Sequence, residues 1–229
     1  SPGITCMHIS WSPARAVILT LLLGLAAAAP ASAAEPPPTG VYIVRVLATP
    51  ERVDPPPCPG AAAAGNDRDV LCIDIDVHSR MRTEVVQVIT GPDAGPDLTF
   101  RVADHYGLPK SGYFDHALVF VAMRAGDPWL LRYQEVPLLR LADGGWATCG
   151  PLRDTPARPL TYADDLGTRT AYAQSPRSSI IPPGSTRLRN GRVECVEGVR
   201  VEDVYTALRA VHLARGGAPL PEVPPGFAR

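Results

Sequence analysis

Apolar and polar positions alternate or cluster in short pieces along this chain, and the pieces predict a mainly β fold. Residues 41–47 are rich in β-branched side chains and read as a first strand. Across residues 70–78 the alternation is regular. Leu71, Ile73, Ile75 and Val77 fall on one face, and Cys72, Asp74, Asp76 and His78 fall on the other, which predicts a half-buried strand with a wet face. Residues 84–90 read as a strand stopped by Gly91-Pro92, and Gly95-Pro96 breaks the chain again before a strand at 98–103. Residues 117–123 are apolar on both faces, which places them centrally in the sheet. Residues 129–141 carry two strand-like pieces around Pro137. Asp143-Gly144-Gly145 predicts a hairpin turn into Trp146, and Asn190-Gly191 predicts another between residues 187–189 and 192–194.

One helix is expected, over residues 201–215. Val201, Val204, Tyr205, Leu208 and Val211 recur at helical spacing and make one apolar stripe. Glu202 and Asp203 occupy the first turn, where the helix dipole favours anions, and Gly216-Gly217 stops the run. Residues 50–69 form a long Pro- and Ala-rich loop, and residues 150–186 read as irregular, with a short helix or strand near Tyr162. The fold class is therefore α+β with β dominant: a small barrel or sandwich of antiparallel strands carrying one C-terminal helix.

The start of the chain changes the picture of where this fold works. Arg15 is the only formally charged side chain before Glu35, and an apolar run over residues 16–29 follows it. Pro30 breaks the run, and Ala31-Ser32-Ala33 or Ser32-Ala33-Ala34 supplies the small residues of a signal-peptidase site. Residues 1–34 are thus expected to be a signal peptide, cleaved after Ala33 or Ala34. Met7 is a plausible start, which makes residues 1–6 an upstream extension. A Pro-rich leader (35–40), one β-rich domain (41–216) and a Pro-rich, frayed tail (217–229) follow. The expected location is the periplasm or the medium, with no stable membrane span after processing.

Cysteine usage agrees with export. Cys58, Cys72, Cys149 and Cys195 follow the leader, an even set that reads as two disulfides, with free buried thiols as the alternative. Of the three pairings, Cys58–Cys72 with Cys149–Cys195 is preferred, because each joins a loop to a neighbouring strand or hairpin. Charge narrows the partners. Basic and acidic side chains nearly cancel, 22 against 23, and Lys110 is the only lysine. A nucleic-acid partner is not expected without a basic surplus; a protein, peptide or glycan ligand is.

Two constellations could carry chemistry. Asp74-x-Asp76-x-His78 puts two carboxylates and an imidazole on one strand face, suited to a divalent metal or to acid–base work, yet about 7 Å apart from one to the next. The alternative is a solvated outer face. The second lies in the segment from Asp104-His105-Tyr106-Gly107 to Asp115-His116, which brackets a Gly/Pro loop holding Lys110 and Ser111. A His–carboxylate pair with Ser111 as nucleophile is one reading, but Ser111 lies on no G-x-S-x-G elbow. A non-catalytic binding loop using Asp104, His105, Tyr106, Lys110 and His116 is the favoured one. Trp129, Tyr133 and Trp146 either line an aromatic surface for sugars or peptides or pack in the core. His212, near the helix end, reads as structural. No catalytic residue and no cofactor is assigned.

The order of pieces over residues 41–123 resembles the netrin-like module, the OB-type barrel of tissue inhibitors of metalloproteinases and their relatives. The resembling stretches are residues 41–47, Cys72-Ile73-Asp74-Ile75-Asp76-Val77, Val85-Val86-Gln87-Val88-Ile89-Thr90-Gly91, Thr99-Phe100-Arg101-Val102 and Leu118-Val119-Phe120-Val121. The resemblance implies a small barrel with a terminal helix packed on it. It does not imply protease inhibition. In those inhibitors a Cys opens the mature chain and its amine binds the protease metal, whereas here the first Cys after the leader is Cys58. Residues 104–150 are also similar to uncharacterised exported bacterial proteins, a similarity that brings no activity with it. The expected function is a non-enzymatic binding or envelope-associated domain. The alternative is a metal-dependent or hydrolytic enzyme using Asp74, Asp76 and His78 or the two Asp-His segments.

Overall fold

A computed structural model describes residues 36–56, 74–124, 126–223 and 227 of the chain. Strands β1 (Thr39–Val46), β2 (Glu51–Arg52), β3 (Val77–Thr90), β4 (Asp97–Asp104), β5 (His116–Ala122) and β6 (Trp129–Arg140) come first, with a 3-10 turn at Lys110–Tyr113 between β4 and β5. β1 lies between β3 and β5, antiparallel to both. β3 continues to β4 and β5 to β6, again antiparallel. A parallel contact of Arg101 on β4 with Trp129 on β6 closes the circuit β1-β3-β4-β6-β5. β2 and β7 (Trp146–Ala147) extend this sheet to seven strands. The five strands of that circuit close into a small barrel. The expected mainly β fold with a single C-terminal helix is what forms. The closure departs from the all-antiparallel expectation, because β4 and β6 are joined through β5 and run the same way.

Alternation sorts the core into two layers. Tyr42, Val44, Met81, Phe100, Val102, Val119 and Val121 fill one cluster inside the ring. Val41, Ile43, Leu118, Phe120, Val136 and Leu138 point the other way and meet helix α3 (Val201–Ala214) through Val204, Tyr205 and Leu208. β5 is therefore buried on both faces, as its unbroken apolar run requires. The 14-residue helix starts and stops where the apolar stripe and Gly216 (φ 75°) put it.

Beyond β7 the chain builds an annex of two small ladders and two short helical turns. β8 (Arg158–Pro159) pairs with β11 (Glu197–Gly198), and β9 (Thr186–Arg189) with β10 (Arg192–Cys195). The turns are α1 (Arg169–Ala173) and α2 (Arg177–Ile180). Asn190 (φ 49°) and Gly191 (φ 75°) form the β9–β10 turn, whose left-handed backbone is why this dipeptide marks hairpins. Cys149 and Cys195 are disulfide-bonded, Cα atoms 5.8 Å apart, and pin β10 to the segment leaving β7. Cys58 and Cys72 lie outside the described residues.

Four local expectations are corrected. β3 begins only at Val77, because the Asp76 N–H donates to Asp74 Oδ1 (3.0 Å) in a side-chain turn that replaces the ladder. Ile75, expected inside, is 65% exposed, while His78, expected wet, is buried. The strands expected at 70–78 and 84–90 are one continuous β3 from residue 77 on, and β6 likewise runs unbroken through Pro137. Its irregularity falls instead at Tyr133 (φ 59°), where the β5–β6 register slips. Finally, the described part of the tail, residues 217–223 and Phe227, is packed rather than frayed. Leu220 and Phe227 are buried against α3, the Tyr205 hydroxyl donates to the Pro221 carbonyl (2.7 Å), and Arg209 Nε donates to the Leu220 carbonyl (2.7 Å). Proline-rich segments lack N–H donors but keep their carbonyls, and those are what α3 holds.

Candidate functional site on the outer face of β3, β4 and β6

The described part of the barrel wall opposite the helix is polar. Odd-numbered residues of β3 from Ser79 to Thr83 point inward, so His78, Arg80 and Arg82 project outward. Register places Arg80 directly across from Arg101, and Arg101 beside Trp129, in one row over three strands. Like charges directly opposite on a sheet repel. Only one of the two is ion-paired here, although β2 sets Glu51 across from Arg80 on its other side. Arg101 Nε lies 3.0 Å from Asp127 Oδ1, its Nη1 donates to the Asp54 carbonyl (3.4 Å), and its guanidinium stacks 5.7 Å from the Trp129 ring centre. Trp129 is held in turn by donating Nε1–H to Asp127 Oδ2 (2.6 Å). Arg80 makes no ion pair among the described residues.

These side chains line an open groove of about 510 Å3. Arg52, Arg80 and Arg101 supply its cations, Asp54 and Asp127 its anions, and Pro55-Pro56 one wall. It lies between the chain leaving β2 and the β5–β6 loop, with the β3–β4 surface as its floor. The arginine pair was not legible in sequence, because residues 80 and 101 become neighbours only through the β3–β4 register.

The expected Asp74-Asp76-His78 group sits at the next level along the same face, and its members turn to different partners. His78 Nε2 lies 2.7 Å from Asp74 Oδ2, and its ring meets Trp129 edge-on at 6.0 Å. The N–H of Asp76, and secondarily His78, hold the Asp74 carboxyl below the usual carboxylate range, against the opposing effect of burial. Asp76 Oδ1 accepts from Arg132 Nη2 (2.7 Å) and lies 3.8 Å from His105 Nδ1. Among the described residues no group of three or more His, Cys, Asp or Glu side chains is arranged to hold a metal ion.

The expected binding loop divides. Asp104 Oδ1 accepts the Tyr106 N–H (2.7 Å), which sets the turn that projects Tyr106, 84% exposed. The Tyr106 ring lies 5.4 Å from His105 and 6.4 Å from Tyr133, whose ring also carries the Arg132 guanidinium at 5.2 Å. Asp104, His105 and Tyr106 thus join Asp76, Arg132 and Tyr133. Lys110 and His116 do not. Lys110 contributes its backbone N–H to Glu135 Oε1 (2.9 Å). His116 starts β5, packs 4.7 Å from Trp146, and has its pKa lowered by burial. Asp115 pairs instead with Arg177, 3.9 Å away. Trp146 is buried with the helix-covered core, whereas Trp129 and Tyr133 belong to the polar face.

Ser111 is fully buried, its hydroxyl 3.7 Å from the Met81 sulfur and donating to Glu135 Oε2. Burial pushes the Glu135 carboxyl up to about 7, although hydrogen bonds from Ser111 and Lys110 favour its charged form. This pair fastens the 3-10 turn against the barrel interior. Glu135 was not singled out in sequence, since one Glu in an alternating strand carries no signal of its own. No helix of the described residues is long and apolar enough to cross a membrane. Compared with known proteins, the chain matches no family model, no curated protein and no solved structure.

Proposed function

We propose that this chain is an exported, non-enzymatic binding module whose ligand lies on the outer face of β3, β4 and the start of β6. One observation carries the reading: Arg80 and Arg101 stand directly opposite each other in an open groove, and only Arg101 is ion-paired, although Glu51 of β2 lies across from Arg80 on its other side. Two guanidiniums held side by side disfavour each other and favour an anion that bridges them. The enclosed Ser111 supports binding over hydrolysis, because its hydroxyl is committed to Glu135 and has no path to substrate. Residues 1–34 supply the export signal, and the periplasm or the medium is the proposed location. The netrin-like resemblance over residues 41–123 is consistent with a secreted barrel that works through its surface.

Amide chemical-shift mapping tests the reading. A short poly-glutamate, used as a generic polyanion at low salt, is expected to shift amides of β2, residues 77–82 of β3, β4 and Trp129. Shifts centred on α3 or the annex, or none, would contradict it.

A further inference from the structure

We infer that the ligand of this face is an acidic oligosaccharide, its carboxylates in the arginine groove and a sugar ring on the Tyr106–Tyr133 pair. The inference rests on the binding reading above and adds the ligand's class and its path. The groove and the tyrosine pair are two ends of one surface. Trp129 links them, touching Arg101 on one side and His78 on the other, and the turn at Asp74–Asp76 leads from His78 to Arg132. Along β4, Asp104 is three residues beyond Arg101, about 10 Å at the rise of a strand. That is the reach of a short oligosaccharide.

The chemistry along this path selects among anions. Arginines offer forked donors to carboxylates, while Asp54 and Asp127 offer acceptors to hydroxyls. A polyphosphate would need a continuous basic stripe, and here Asp54, Asp76, Asp104 and Asp127 interrupt the cations. A carboxylated glycan brings hydroxyl donors for those aspartates as well as carboxylates for the arginines, which a polyphosphate does not. At the far end two exposed tyrosines provide ring faces next to a guanidinium. The left-handed backbone of Tyr133 is strained for a side chain of this size. It is held by the Asp76–Arg132 ion pair and by Arg215 Nη1 donating to the Arg132 carbonyl (2.7 Å). Strain sustained at an exposed aromatic is expected where the aim of the ring matters.

Isothermal titration of the purified protein at low salt tests this, with oligogalacturonate, monomeric galacturonate, a neutral malto-oligosaccharide of equal length and poly-glutamate as probes. Oligogalacturonate is expected to bind and the neutral oligomer not. Arg80→Gln and Arg101→Gln should each weaken binding about tenfold or more. Tyr106→Ala should weaken the oligomer several-fold and leave the monomer unchanged. These side chains lie on the surface, and circular dichroism of each variant confirms that it is folded. Poly-glutamate binding as tightly, indifferent to Tyr106→Ala, would leave the site standing and overturn the glycan. Neutral oligomer binding equally would overturn the acidic class. Absence of binding by both polyanions would overturn the site itself.

Discussion

The barrel has two outer walls built by the same alternation and put to opposite uses. On β1, β5 and the second half of β6, the outward residues are Val41, Ile43, Leu118, Phe120, Val136 and Leu138, and α3 with Leu220 and Phe227 covers them. On β3, β4 and the start of β6, the outward residues are His78, Arg80, Arg82, Arg101 and Trp129. The covered wall gains free energy from every methylene it removes from water. The open wall spends its positions on charges that repel across strands and on a strained tyrosine. A surface arranged against its own stability is where a ligand's contribution is to be sought. The difference also separates two kinds of experiment: changes on the covered wall should be read as melting temperature, and changes on the open wall as affinity.

The largest stability loss should come from the disulfide that ties the annex to β7. Cys149 and Cys195 are 46 residues apart, and in the chain-entropy model a closure of that size is worth about 4 kcal/mol. The Cys149→Ser/Cys195→Ser pair should melt well below the parent, and a calorimetric scan checks it. Next is the covered wall. Leu208 is 1% exposed against Phe120 and Tyr205, and Leu208→Ala should cost about 3 kcal/mol, seen as a drop of roughly 6–12 °C in Tm.

The Glu135 anchor gives a step with pH. Its carboxyl titrates near 7 in the folded protein and near 4.5 in the unfolded chain, so between these values the folded state holds the extra proton. Its contribution is complete below about pH 4.5 and is lost as pH rises through 7. A loss of about 2–3 kcal/mol over that window is expected, measured by urea unfolding at stepped pH, and Glu135→Gln should remove the step. A flat profile in the parent would show that the carboxyl is not held protonated.

What was legible in the sequence follows from range. Patterns set by near neighbours were read directly: the β-branched run of β1, the two-faced apolar run of β5, the Asn190-Gly191 turn and the stripe of α3. The Cys149–Cys195 pairing was legible because a hairpin and a neighbouring loop framed it. Three things were not. The turn at Asp74–Asp76 overrides a regular alternation, because one carboxylate–amide bond outcompetes the ladder there. The Arg80–Arg101 pair depends on a register fixed by distant contacts. The burial of Leu220 and Phe227 depends on what α3 offers to a proline-rich chain that has no periodicity to show. The candidate site was therefore half visible: Asp74, Asp76, His78, Asp104, His105 and Tyr106 were singled out, but the arginines and Glu135 needed the fold.

The smallest stability effect is expected where binding should suffer most. Arg80 is exposed and makes no ion pair among the described residues, so Arg80→Gln should change stability by less than about 0.5 kcal/mol. The central claim is that this wall binds and the other wall folds. It is tested most directly by measuring, on one preparation of Arg80→Gln, both Tm and affinity for oligogalacturonate. The account predicts an unchanged Tm with affinity reduced about tenfold or more. An unchanged affinity, with the parent binding normally, would contradict it.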